Sequence, residues 1–161
     1  LMSNMGLEKF FSKLGLKFYR ADVGDKYVYE LMKKKGSIIG GEQSGHIILR
    51  KYAPSGDGLF VAMKIIKIIS QINSKPSKIF NLYKSSYQIK KNIKLKDSEV
   101  YKNKKVIKLI NLYNSKKYKD SRCLIRFSGT EPILRILVEG YSYSIINTLF
   151  KNISKKISTA I

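Results

Sequence analysis

The apolar residues of this chain fall into runs whose spacing switches between helical and extended. Ser3 and Asn4 suit helix N-caps, and Leu7, Phe10, Phe11 and Leu14 follow at the i, i+3, i+4, i+7 spacing of one helix face. Gly15 can close that helix in the left-handed conformation, and residues 16–21 then predict a strand. A second helix is expected from Gly24 and Asp25, with Val28, Leu31 and Met32 facing inward and Gly36 at its end. Ile38 and Ile39 form a short strand that runs into Gly40 and Gly41, and another strand covers 47–49. Pro54, Ser55, Gly56, Asp57 and Gly58 are turn residues, with Asp57 placed to cap a long amphipathic helix marked by Leu59, Met63, Ile66 and Ile69. Pro76 punctuates, and a shorter helix is expected over 79–83. This order reads as an α/β layer that lacks its beginning.

The pattern changes near Ser85. Residues 87–96 alternate loosely with lysines, which suits an exposed strand linking two domains. A helix over 98–113 carries Val106, Leu109, Ile110 and Tyr113 on one face, and 114–120 is a polar loop. Strands at 123–126 and 133–139 flank a second loop, and a last helix uses Ile146, Leu149, Ile153 and Ile157. The second unit is therefore a small α+β domain, near the lower limit for independent stability.

Composition narrows the class. With 161 residues and 43% hydrophobic content the chain can build a core, which argues against disorder. Lys64 and Lys67 interrupt even its most apolar stretch, so no membrane partner is expected. Ser3, Asn4 and Glu8 fall where a secretory signal would need an apolar core. The single cysteine, Cys123, excludes an internal disulfide and fits a reducing, cytoplasmic setting. Leu1 stands first and organised sequence follows Met2 at once, so a longer parent chain is expected.

A net charge of +21 invites a nucleic-acid reading. Against it, lysines far outnumber arginines and are spread over the whole chain, whereas forked base and phosphate recognition favours arginine. A solvated basic surface accounts for the charge, and it would still speed encounter with an anionic substrate.

Two segments carry chemistry. The first, Gly40-Gly41-Glu42-Gln43-Ser44-Gly45-His46, joins two strands and offers a carboxylate, a hydroxyl and an imidazole on a glycine-softened backbone. Neighbouring sugar hydroxyls make such a demand, each donating to one group and accepting from another. The same residues also suit a plain polar connection that uses glycine to turn, and composition does not separate the two readings. The second, Arg126-Phe127-Ser128-Gly129-Thr130-Glu131-Pro132, combines a guanidinium with two hydroxyls. Gly129 would let successive backbone N–H groups form an anion nest, and Arg135 would be a second cation for the same site. A tight hairpin with an incidental arginine is the competing reading. Neither Ser44 nor Ser128 sits in a Gly-x-Ser-x-Gly elbow. Cys123 reads as a buried thiol, and Asp57 as a helix cap with no second acidic residue at metal-ligand spacing.

With both loops in place, the sequence resembles the α-D-phosphohexomutase superfamily and, within it, the phosphoglucosamine mutases. The residues that carry the resemblance are Met2-Ser3-Asn4-Met5-Gly6-Leu7, Val23-Gly24-Asp25-Lys26-Tyr27-Val28, Gly40 to His46, Ser55-Gly56-Asp57-Gly58 and Arg126 to Pro132, collinear along almost the whole chain. The resemblance implies an α/β fold. A partial three-layer α/β sugar-binding domain at 1–86 would lead through a linker strand at 87–96 into a small α+β phosphate-binding domain at 97–161. That second domain would have a four-stranded antiparallel sheet and two helices. The resemblance also implies that Glu42, Ser44, Gly45 and His46 read the sugar, while Arg126, Ser128, Gly129, Thr130 and Arg135 bind phosphate. The catalytic phosphoserine and the magnesium ligands would lie in a missing N-terminal half. The substrate would be a hexosamine phosphate.

Overall fold

In a computed structural model, which describes residues 1–95 and 97–161, the chain divides into two compact units, Leu1–Ser85 and Ser86–Ile161. In the first unit, α1 (Met5–Lys13) starts at Asn4, whose side chain accepts from the Gly6 N–H at 2.8 Å. Gly6 has to be small, because a Cβ there would meet the Lys84 carbonyl. α2 (Asp25–Lys35) ends on Gly36 in the left-handed conformation at φ 68. β1 (Ile39–Gly41) and β2 (Ile47–Leu49) form a two-stranded antiparallel hairpin in which Gly40 faces Ile48. α3 (Gly58–Gln71) begins as expected on Asp57, which accepts from the Phe60 N–H at 2.9 Å.

Three expectations for this unit need correction. Residues 16–21 do not form a strand, because no neighbouring strand supplies a ladder there among the described residues. The segment is held by side chains instead: Arg20 donates to Glu8 Oε2 at 2.7 Å and to the Ser3 carbonyl at 2.7 Å. The short helix after Pro76 is α4 (Pro76–Ile79), earlier than 79–83, since proline at the first helical position starts a helix. The apolar stripe of α3 is exposed, with Leu59 at 74%, Met63 at 53% and Ile66 at 65%. The buried core here is small: Val28, Met32 and Ile48, backed by Ala21 and Tyr29.

The second unit opens with β3 (Tyr87–Lys94), which pairs with β5 (Ile133–Gly140) along its whole length. The strand expected to link two domains is thus an edge strand of this sheet. A 3-10 turn (Ser98–Lys102) and α5 (Lys104–Ser115) replace the single helix expected at 98–113. Asn103 divides them by accepting from the N–H groups of Lys105 and Val106. β4 (Ser121–Phe127) pairs with β5 on its other side, and α6 (Tyr143–Ala160) closes the unit.

The sheet is antiparallel with order β3-β5-β4. It has three strands among the described residues, not four. One face carries Cys123, Ile125, Leu134, Ile136 and Val138 against Val106, Tyr113, Ile146, Ile153 and Ile157 of the helices. Burying each such aliphatic side chain stabilises the unit by about 1.5–3 kcal/mol before chain entropy is set against it. No helix among the described residues is long and apolar enough to cross a membrane.

Candidate functional site

Each unit presents one of the two loops at the tip of an antiparallel hairpin. In the first, β1 and β2 bring residues 42–46 out beyond the Gly41–Ile47 pair. The Glu42 N–H donates to the His46 carbonyl at 2.9 Å, and the Gly45 N–H donates to the Glu42 carbonyl at 3.1 Å. Gly45 closes this turn at φ 97, a conformation that side-chain-bearing residues rarely adopt. Gly40 has a different task. A Cβ there would overlap Met32 and stand 2.7 Å from Val28 Cγ1, so the missing side chain lets the hairpin lie close on α2.

The Glu42 carboxylate is held from two directions. Oε1 accepts from the Gly24 N–H at 2.8 Å, and Oε2 lies 3.4 Å from His46 Nδ1. Gly24 is the N-cap of α2 and has no side chain to cap with; Glu42, from another element, accepts from the Gly24 N–H itself, as the acid of a capping box does. Sequence spacing placed Gly24 at a helix start but gave no sign that an acid 18 positions on would accept from its N–H. Ser44, Gly45 and His46 are exposed at the tip.

In the second unit, β4 and β5 pair Arg126 directly with Arg135, so both guanidinium stems leave the same face of the sheet. Like charges directly opposite across a ladder repel, and holding them there favours an anion at that point. Arg135 Nη2 is 2.6 Å from Glu131 Oε2, so a carboxylate of the same loop offsets part of that repulsion. Ser128 is buried, and its N–H donates to the Ile133 carbonyl at 2.9 Å. Gly129 and Thr130 are exposed beyond it. Gly129 is not among the glycines with positive φ. A Cβ at Gly129 would meet nothing within 4 Å, which leaves its face open to an approaching group.

The remaining polar clusters are structural. Glu139 is fully buried and accepts from Arg122 Nε at 2.6 Å, Gln88 Nε2 at 2.7 Å and Ser86 Oγ at 3.3 Å. Burial pushes the Cys123 thiol up to about 12, against a smaller downward pull from Arg122, which makes it an inert core group. Among the described residues no group of three or more His, Cys, Asp or Glu is placed to hold a metal ion. The described residues therefore do not fit the magnesium that the resemblance implies.

Residues 1–86 match the alpha/beta/alpha domain III of the phosphoglucomutase/phosphomannomutase family, and residues 91–156 match that family's C-terminal domain. A phosphoglucosamine mutase of Parvibaculum lavamentivorans is 38% identical over 154 residues, covering 96% of this chain and 34% of that protein. One of Methylobacterium radiotolerans is 35% identical over 160 residues, covering 99% of this chain and 36% of its own length. The chain thus spans about a third of the curated relatives it matches. Among solved structures, a phosphoglucomutase/phosphomannomutase family protein of Burkholderia thailandensis superposes with a TM-score of 0.76 at 18% identity, covering 98% of this chain and 36% of its own. Aspergillus fumigatus N-acetylphosphoglucosamine mutase, in complex with GlcNAc-6P and magnesium, gives 0.68 at 15% identity, covering 97% and 40%.

Proposed function

The chain belongs to the phosphoglucomutase/phosphomannomutase family, and from that premise we propose that it supplies the substrate-recognising part of a phosphoglucosamine mutase. The whole enzyme would interconvert glucosamine 6-phosphate and glucosamine 1-phosphate in a reducing, cytoplasmic setting. A phosphoserine on a preceding half would give its phosphoryl group to the free sugar hydroxyl. The resulting bisphosphate would reorient and return its other phosphoryl group to the serine. This chain makes and breaks no bond in that scheme. Its contribution is position, and fixing a reactant in line can supply several kcal/mol of the barrier.

The single observation that carries this reading is the Arg126–Arg135 pair, set opposite each other on the two strands that frame an open glycine loop. Arg126, Arg135, Ser128, Gly129 and Thr130 hold the phosphate that is not reacting. Glu42, oriented by the Gly24 N–H, accepts from sugar hydroxyls, with Ser44 and His46 beside it on the Gly45 turn. A hydroxyl reader and a phosphate clamp with no preference for which end of the sugar is phosphorylated suit a reaction that runs through both orientations. The amino-sugar assignment, in preference to a neutral hexose, rests on the names of the curated relatives.

The test is complementation. Co-expression with an N-terminal half that carries the serine and metal loops should restore mutase activity. Arg126→Ala should then lower turnover at least tenfold, about what one charge-assisted phosphate contact contributes. No activity with the native chain would favour a sugar-phosphate-binding remnant, and full activity in Arg126→Ala would remove the clamp.

A further inference from the structure

The phosphate-clamp reading leaves open what fixes the outer side of β4 at Arg126, since its pairing with β5 and the Glu131–Arg135 ion pair act only from the other side. β4 lies at the edge of its sheet, with β5 on one side and no strand on the other among the described residues. In an antiparallel ladder, alternate residues turn both backbone groups toward the partner strand and both away from it. Ile125 turns its pair away from β5, and a single side chain meets both. Its N–H donates to Asn114 Oδ1 at 2.7 Å, and its carbonyl accepts from Asn114 Nδ2 at 2.8 Å. The amide of Asn114, in the last turn of α5, stands where a residue of a fourth strand would stand.

Such a contact has a strict chemical requirement. One end of the side chain must accept and the other donate, which a primary amide does and a carboxylate or hydroxyl does not do in this geometry. Ile125 is fully buried, so water cannot replace the amide, and two orphaned backbone groups would be left if it were lost. Ile125 immediately precedes Arg126. On the other flank, the Phe127 ring packs on Tyr101 with centroids 4.7 Å apart. Both chain neighbours of Arg126 are therefore tied from outside the sheet, one by its backbone and one by its ring.

We infer that Asn114 is a positioning residue for the phosphate site, fixing the end of β4 so that Arg126 stays opposite Arg135. The inference rests on the clamp reading above. Without the amide, the last residues of β4 lose the support on their outer side, and the two guanidinium groups no longer share one anion.

Titration of the full chain with inorganic phosphate, followed by amide NMR, tests this. Asn114→Ala should weaken phosphate binding about fivefold or more, with faster amide exchange at Ile125 and Arg126. Asn103→Ala serves as control, because it removes the α5 cap and the bond to the Ala160 carbonyl without touching β4. It should lower Tm yet leave phosphate affinity within about twofold. Native-like affinity in Asn114→Ala, or an equal loss in Asn103→Ala at the same Tm shift, overturns the inference. If Asn114→Ala does not fold, Asn114→Asp is judged by the same criterion, and failure of both to fold makes the residue a folding determinant and ends the positioning role. If Arg126→Ala abolishes binding while Asn114→Ala does not change it, only this inference falls. If the native chain binds no phosphate, or Arg126→Ala binds it unchanged, the clamp reading falls and takes the inference with it.

Discussion

Replacing Arg122 by alanine would strand a carboxylate in the interior of the second unit. Glu139 has 0% exposure and lies in the central strand β5, and Arg122 reaches it from β4 through both Nε and Nη2. Removing one partner of a buried ion pair costs about 3–5 kcal/mol, mostly because the remaining charge is left without compensation. Gln88 and Ser86 still donate to Oε2, which places the expected loss near the lower end, at about 3 kcal/mol. A unit of this size holds about 4–11 kcal/mol in all, so the variant should lose a large fraction of its stability. Urea denaturation of the chain, read by near-ultraviolet tyrosine signals and by exchange of β5 amides, measures the loss. Adding Glu139→Gln to Arg122→Ala removes the stranded charge and should recover about 1–2 kcal/mol. A single-variant loss under about 1 kcal/mol would refute the reasoning, as would a double variant less stable than Arg122→Ala.

Two further outcomes follow from the same packing. Gly40→Ala drives a Cβ into Met32 and Val28 and should cost about 1–3 kcal/mol, seen as faster amide exchange at Ile48; exchange at the native rate would mean the hairpin does not lie on α2 as described. Cys123 and Tyr118 both have folded-state pKa values raised to about 12 by burial, from 9 and 10. A raised acid binds its proton more tightly when folded, so this stability is complete below about pH 9 and is lost as pH climbs from 9 toward 12. Alkaline denaturation in that window, with Cys123 alkylated only as the chain unfolds, is the expected result. Rapid alkylation of the native chain at pH 8 would contradict it.

The parts of this structure that were legible in the sequence are those decided within a few residues. The left-handed stop at Gly36 and the Asp57 cap of α3 depend on neighbours alone, and both lie where spacing put them. The strand expected at 16–21 failed because alternation cannot report whether a partner strand exists. The helix expected over 98–113 was split because Asn103, a residue whose side chain competes for backbone N–H groups, sits in its middle. Sheet size was illegible for a related reason. Asn114 caps the edge of β4 with a side chain, and nothing local distinguishes that asparagine from one in a polar loop.

The candidate site divides in the same way. The facing of Arg126 and Arg135 was foreshadowed by two strands around a short loop, since a hairpin brings its ends together. The Gly24–Glu42 contact was not, because it joins a helix start to a hairpin tip through the fold. Gly129, read as a place for close approach, has no positive φ and leaves its face open.

The measurement that bears most directly on the account is an amide NMR titration of the native chain with glucosamine 6-phosphate, set beside inorganic phosphate. The sugar phosphate should shift the amides of residues 42–46 and 126–130, phosphate alone should shift only 126–130, and Arg126→Ala should erase the phosphate response. Shifts scattered over the lysine-rich surface that vanish at physiological salt, with both loops silent, would contradict it.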